Sequence, residues 1–352
     1  MLAQHERFTV GRGGLRASFK GLNLAGAILA NRRLDEADFT GACLAGANLH
    51  GTNLTRASLY CADLTGCNLR NANLKQADIR GASFRGADLA FAVLDYADLR
   101  KGTMMIVGDA GVSLVDHGKN GLGFVDFSHA SLRNASFGKA KLEGAIFNGA
   151  LLLGTQFRGA ELTKASFAGA VLMGVTMAEL KLPPEAFVDC VFDVAAAAKA
   201  KSGPLKDKLA QHQQWVQSDG REGAAASLDG EDLRPLGNAL AGRNLVGLTA
   251  RGVTAIGLDF SRSQLQGAKF DGADLRGADF SGCDLSGISF HAAKLVHARF
   301  ERARLGNLKL RDGGKLSPNF LGADVQAEQF RDAVVEDSLA ALGIGGDATV
   351  EL

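Results

Sequence analysis

No apolar run in the sequence approaches the ~18–20 residues that span a bilayer, so no membrane span is expected. The first residues, MLAQHERF, lack the basic-then-apolar order of a cleaved signal peptide, and the expected location is the cytoplasm. Cysteine is sparse and odd in number, five residues without paired spacing, which argues against a disulfide framework and fits a reducing compartment. Only three residues are Trp or Tyr, although 20 are Phe. Charge of one sign is also missing: 39 Lys and Arg against 38 Asp and Glu leave +1, which removes the simplest argument for a nucleic-acid binder. What the chain does have is glycine, 45 of 352 residues, about twice the usual ~7%. With 46% apolar residues it is too apolar for a disordered chain, and its glycines are too aperiodic for collagen.

Internal periodicity decides the class. From Ala17 to Leu99 a bulky apolar residue falls on every fifth position, beginning Phe19, Leu24, Leu29, Leu34 and ending Leu89, Leu94, Leu99. Two residues before most of these centres stands a small residue, as at Ala37, Ala42, Ala47, Thr52 and Cys67. The position just before the centre favours Asp, Asn or Ser, and Gly is frequent two places after it. A second block runs from Phe127 to Leu182 and a third from Leu240 to Leu310. A period of five suits neither an α-helix at 3.6 nor a strand at 2. It suits a square coil in which each pentapeptide forms one side, four sides make a turn, and stacked turns pair their backbones at the ~4.8 Å spacing of a sheet. The centre and the small residue before it then point inward and fill the interior together.

The consensus, as in Ala87-Asp88-Leu89 or Ala273-Asp274-Leu275-Arg276-Gly277, resembles that of the pentapeptide-repeat family. The resemblance implies an all-β solenoid, a right-handed quadrilateral parallel β-helix. In the second block the centres alternate strictly, Phe127, Leu132, Phe137, Leu142, Phe147, and the third block repeats this from Phe260. Alternation every ten residues puts Phe above Phe on two opposite sides of a coil, so that rings overlap from turn to turn.

Open coils expose backbone edges, and the sequence supplies covers twice. Leu2-Ala3-Gln4-His5 recurs as Leu209-Ala210-Gln211-His212, each followed three residues later by an aromatic, Phe8 or Trp215. The exits also correspond, Leu182-Pro183-Pro184 to Val191 with Val325 to Val334, and the spacing Phe187/Val191/Val194 reads as a short amphipathic helix. We therefore expect two tandem modules with short capping helices, joined near Ser202-Gly203-Pro204. The expected segments are an N-terminal cap (1–16), coils (17–100), a β insertion (101–124), coils (125–182) and a helix cap (183–201). A linker with a second cap helix (202–222), a second solenoid (223–311) and a C-terminal capping helix with an acidic tail (312–352) complete the chain. The insertion breaks the period and carries three apolar runs, the last two separated by a stretch containing Asn120-Gly121, a hairpin signal. A slip of two residues surrounds Pro235, and Ala250 and Ala255 at centre positions are expected to thin the core.

No catalytic, cofactor or metal constellation emerges. The seven histidines lack zinc spacing, and His5 and His212, in the repeated cap phrase, read as packing or hydrogen-bonding residues. Cys67 and Cys283 occupy the small inward position, Cys43 and Cys61 outward or corner positions. Gly11-Arg12-Gly13-Gly14 and 343–346 lack the context of phosphate loops, and the repeated Asp and Asn read as turn formers. Loops on rigid scaffolds often bind, so Met104, Met105, Asp116, His117, Lys119 and Asn120 of the insertion form the candidate interaction loop. The expected function is non-enzymatic: a bacterial cytoplasmic scaffold or adaptor for a protein partner, as monomer or C-terminal homodimer, without small-molecule substrate or cofactor. A topoisomerase-modulating DNA mimic, which the family resemblance suggests, is disfavoured. Residues 15–101 hold 11 basic and 8 acidic residues, 125–182 hold 6 and 4, and 258–311 hold 9 and 6. Only 312–352 are acidic, with 2 basic and 8 acidic residues. A secreted effector is the third reading.

Overall fold

The computed structural model describes residues 1–102, 104–108, 111–115, 124–194, 200, 202–310, 313–330, 332–336, 338–342 and 344. The chain divides into two compact units, Met1–Asp193 and Val194–Leu352. Within each, the backbone pairs with itself one coil later. Parallel bridges join Ser18 to Asp38, Asn23 to Cys43, Ile28 to Asn48 and Arg33 to Asn53, so that partners lie 20 residues apart and successive bridges five. The residue before each centre makes the bridge: Asp38 N–H donates to Ala17 O at 3.0 Å, and Phe19 N–H donates to Asp38 O. A β-turn follows each centre. Ala27 N–H donates to Leu24 O at 3.0 Å, with Gly26 between them at φ +68°. A type II turn requires that positive φ at its third residue, and glycine adopts it without steric cost, which explains the glycine excess.

The aspartates and asparagines before the centres shape the same turns. Thr40 N–H donates to Asp38 Oδ1 at 2.9 Å, Thr65 N–H to Asp63 at 3.0 Å and Ser261 N–H to Asp259 at 2.8 Å. These are Asx turns, in which a short acceptor side chain satisfies the backbone two residues on.

Inside, the Phe/Leu alternation becomes two columns of rings. Phe127, Phe147 and Phe167 stack at centroid distances of 5.1 and 4.8 Å, and Phe137 stacks on Phe157 at 5.2 Å. The columns meet edge to face, Phe137 against Phe147 at 5.8 Å and 88°. The second unit repeats this with Phe260, Phe280 and Phe300. Both geometries are the favourable ones for aromatic quadrupoles. The core at Ala250 and Ala255 is not thinned as expected. Leu248 and Val253, two residues earlier, are fully buried, so bulk and smallness have exchanged inward positions.

Three departures from the 20-residue step locate the interruptions. Ser83 bridges Asp126, 43 residues on, where the first insertion leaves the coil and returns. Its described part is an antiparallel hairpin, β1 (Met104–Gly108) and β2 (Gly111–Val115). The Asn120-Gly121 turn lies outside the described residues. Ser227 bridges Thr249, 22 residues on, across a 3-10 turn at Arg234–Leu240 that accommodates the slip at Pro235.

The third departure is unexpected. Ser289 bridges Asn319, 30 residues on, around a second hairpin of β4 (Leu308–Lys309) and β5 (Lys315–Leu316). The coil then resumes: Phe330 stacks on Phe300 at 4.5 Å, and β3 (Arg304–Leu305) pairs in parallel with β6 (Val334–Val335). The capping helix expected within 312–352 is therefore replaced, among the described residues, by strand pairing and two 3-10 turns, Ala327–Phe330 and Ala340–Leu342. Val191 likewise bridges Val171 instead of lying on a helix, after a single 3-10 turn at Pro184–Phe187. An open coil edge presents unpaired backbone groups, and another rung satisfies them with its own backbone.

Among the described residues the α-helices are α1 (Leu2–Thr9), α2 (Met177–Leu180) and α3 (Ser202–Gln217). Ser202-Gly203-Pro204, expected as the joint, forms the first turn of α3, where proline is tolerated. Residues 195–199 of the expected helix cap lie outside the described residues. No helix among the described residues is long and apolar enough to cross a membrane.

Candidate functional site

The residue types that usually carry chemistry are engaged in holding the coils. Three of the five free cysteines stand at the small inward position, and each thiol donates to the centre carbonyl one coil below. Cys67 Sγ reaches Leu44 O at 2.8 Å, Cys190 reaches Phe167 O at 2.9 Å and Cys283 reaches Phe260 O at 2.9 Å. Thr52 and Ser263 make the same bond to Leu29 O and Leu240 O, so where the small residue is not Ala its donor is satisfied by that carbonyl. Burial pushes the Cys67 and Cys283 thiols up to about 12, which keeps them protonated and unreactive. Cys61, read as an outward or corner residue, stands at a left-handed turn corner yet is buried, and desolvation raises its pKa too.

Several carboxylates are paired with arginines along the outer faces. Arg80 sits 2.8 Å from Asp78 and 3.9 Å from Asp98, which Arg100 also meets at 2.7 Å. In the second unit Arg276 meets Asp274 at 2.7 Å, and Arg251 bridges Asp229 and Asp271 at 3.4 and 3.3 Å. Opposite charges on the same rung or the next neutralise each other and leave no strong field of either sign along those columns. Among the described residues no group of three or more His, Cys, Asp and Glu is placed to hold a metal ion.

The two cap histidines are buried in matching settings. Ala17 N–H donates to His5 Nδ1 at 3.0 Å, and Ala226 N–H donates to His212 Nδ1 at 3.0 Å. Each imidazole stacks at 5.7 Å and 23°, His5 on Phe8 and His212 on Trp215. Burial lowers both pKa values, so each ring is neutral, with its proton on Nε2. Each first-rung N–H thus finds its acceptor in a helix side chain. A glycine lets the chain pass close under each helix. A Cβ on Gly14 would lie 2.1 Å from Gln4 O, and one on Gly223 would lie 2.2 Å from Gln211 O.

Around these equal caps the charges differ. Arg32 pairs with Glu6 at 3.0 Å, Arg56 pairs with Glu36 at 2.6 Å, and Asp35 accepts from Asn53 at 3.3 Å. The corresponding places in the second unit, counted from the matching histidines and rungs, hold Gln213, Gly247 and Val246.

The candidate interaction loop is placed only in part. Met104 and Met105 lie on β1, opposite Val115 and Leu114 of β2. Asp116, His117, Lys119 and Asn120 lie outside the described residues. The insertion departs through a tight crossing, where a Cβ on Gly102 would lie 2.6 Å from Arg80 O. It returns at Phe124, whose ring carries Lys101 Nζ at 5.7 Å and lies against Gly144.

The sequence model of pentapeptide repeats matches residues 17–56, 33–71, 67–104, 122–149, 147–178, 244–282 and 283–312, more than half of the chain. Among solved structures, one similar to this chain is HetL, a pentapeptide repeat protein involved in heterocyst differentiation regulation from the cyanobacterium Nostoc sp. strain PCC 7120. It shares 19% identity over 88% of this chain and 96% of its own, with a TM-score of 0.33. The pentapeptide repeat protein Rfr23 from the cyanobacterium Cyanothece 51142 shares 20% identity over 54% of this chain and 98% of its own, TM-score 0.26. The plasmid-mediated fluoroquinolone resistance protein QnrB1 shares 18% over 55% and 98%, TM-score 0.24. No curated protein matches the chain. With the family sequence matching most of its coils, the chain belongs to the pentapeptide-repeat family.

Proposed function

We propose that this chain is a non-enzymatic scaffold or adaptor of a bacterial cytoplasm. In this reading it is wound as a right-handed quadrilateral β-helix in two modules and binds a protein partner along its coil faces or through residues 101–124. The observation that carries the reading is the use made of reactive groups. Groups of each reactive type are bound to backbone, as the thiol of Cys67, the hydroxyl of Ser263, the imidazole of His5 and the carboxylate of Asp38 are. Repeat scaffolds bind other macromolecules along their faces. Free cysteines acting as hydrogen-bond donors suit the reducing compartment.

Affinity capture from extract of the source cells tests this, using the full chain and a variant in which Gly102 is joined to Phe124. The expected result is one partner retained by the full chain, with its loss or persistence in the variant assigning it to the loop or to the faces. Recovery of no partner by either chain counts against the reading. The runner-up, a DNA mimic acting on gyrase, needs an acidic rod, whereas here aspartates such as Asp78 and Asp274 carry arginines two residues away on the same rung. A supercoiling assay with purified protein is expected to show unchanged gyrase activity. Light scattering separates a monomer from a homodimer formed through the C-terminal segment.

A further inference from the structure

Beside the second cap lies an open groove of about 440 Å³. Its polar lining is Gln213 from α3 with Arg243, Asn244, Arg262 and Gln264 from two successive coils: two guanidinium groups, three carboxamides and no carboxylate. Arg243 Nε donates to Ala239 O at 2.6 Å, which orients the guanidinium and leaves its two Nη groups for another acceptor. Neither arginine makes an ion pair among the described residues.

The first unit supplies the control. Counted from the matching histidine and rung, Arg32 stands where Arg243 does, Glu6 where Gln213 does and Gly51 where Arg262 does. There the arginine is already occupied by Glu6 at 3.0 Å. The second unit keeps the arginine, replaces its carboxylate with an amide and adds a second guanidinium on the next coil. The nearby Asp35 and Glu36 are replaced as well, by Val246 and Gly247. Three carboxylates are lost and one guanidinium is gained, while Asn244 stands where the first unit has Arg33 and Gly267 where it has Arg56, so the balance still moves toward positive charge.

We propose that this groove binds a small molecule carrying a phosphate group. A phosphate monoester bears about −1.5 to −2 charges at neutral pH, which matches two guanidinium groups, and its oxygens accept from guanidinium and carboxamide N–H donors alike. The groove is larger than a bare phosphate and falls within the ~300–1,000 Å³ range of small-molecule sites. This site is independent of the protein-binding surface proposed above.

Calorimetric titration of the full chain with phenyl phosphate, inorganic phosphate and acetate at constant ionic strength tests it, with Trp215 fluorescence as a second readout two residues from Gln213. One saturable site per chain is expected, with both phosphates binding more tightly than acetate. Gln213→Glu, which rebuilds the arrangement of the first unit and is expected to fold as that unit does, lowers phosphate affinity by about tenfold or more. Arg243→Gln with Arg262→Gln does the same, while Arg32→Gln leaves binding unchanged. Absence of saturable phosphate binding, acetate binding as tightly as phosphate, or equal affinity in Gln213→Glu would each overturn the proposal.

Discussion

The caps of the two units keep one geometry in two electrostatic settings. His5 and His212 receive a first-rung N–H at the same 3.0 Å and stack on Phe8 and Trp215 at the same 5.7 Å. Yet Arg32 faces a carboxylate in Glu6, and Arg243 faces an amide in Gln213. The difference separates what the fold requires from what it permits. An orphan N–H under a helix must be satisfied, so the imidazole recurs. An exposed ion pair adds little to stability, so the charge beside it is unconstrained by folding and available for another task.

That comparison is sharpened by a series read unit by unit, since both tyrosines, Tyr60 and Tyr96, lie in the first unit and the single tryptophan, Trp215, in the second. The largest effect is expected in the cores: Phe147→Ala and Phe280→Ala each remove a ring with neighbours above, below and edge-on, and each costs about 3–5 kcal/mol in denaturant melts. A loss below about 1 kcal/mol would mean that the ring is not a packed member of its column. Next come the crossings under the caps. Gly14→Ala and Gly223→Ala force a Cβ against a backbone carbonyl at positive φ, and about 2–4 kcal/mol is expected at both. His5→Leu and His212→Leu leave a buried N–H without an acceptor and cost about 1–3 kcal/mol. Unequal losses within either pair would break the equivalence of the caps.

Acid acts on the same bonds. Both histidines have folded pKa values below the ordinary 6.5, so their contribution is fully present above about pH 6.5 and is lost as pH falls through the folded values. Protonation of Nδ1 removes the acceptor for the first-rung N–H. Burial is the main cause at both sites. At His5 it is opposed by Asp35 and Glu36 and reinforced by Arg16, whereas at His212 the backbone of Val246 is the opposing group. His5 is therefore expected to titrate above His212, and proton NMR of the two ring signals checks the order. The smallest effect is Glu6→Gln, which removes an exposed pair and should change stability by about 0.5 kcal/mol or less.

Much of this was legible in the residues and some was not. A centre every fifth position, with a small partner two before it, describes the buried set from Phe39 to Leu99. The repeated cap phrase around His5 and His212 pointed to equal roles. It also contained the clue to the groove, since the residue after the histidine changes from Glu6 to Gln213. That change acquires meaning only once Arg243 and Arg262 are known to stand beside it. The second hairpin is masked in the sequence because Leu308 and Leu310 continue a plausible spacing, although Gly313-Gly314 is a turn signal. Phe330, Val334 and Leu342 imitate a helical stripe, but Val334 is 62% exposed in a strand. At an open coil edge, pairing with the rung below outweighs a local helical preference.

The order of residues by itself determined the repeat, because a centre that recurs every fifth position can be buried throughout only if the chain closes on itself at a regular step. It also determined the turns, since glycine and Asx chemistry act over two or three neighbouring residues. The tertiary structure alone decided which of two inward positions carries the bulk at Leu248 and Val253, how each open end is covered, and which arginines are neutralised. These outcomes depend on groups from different coils meeting in space, and a coil brings together residues whose separation along the chain shifts wherever an insertion or slip intervenes.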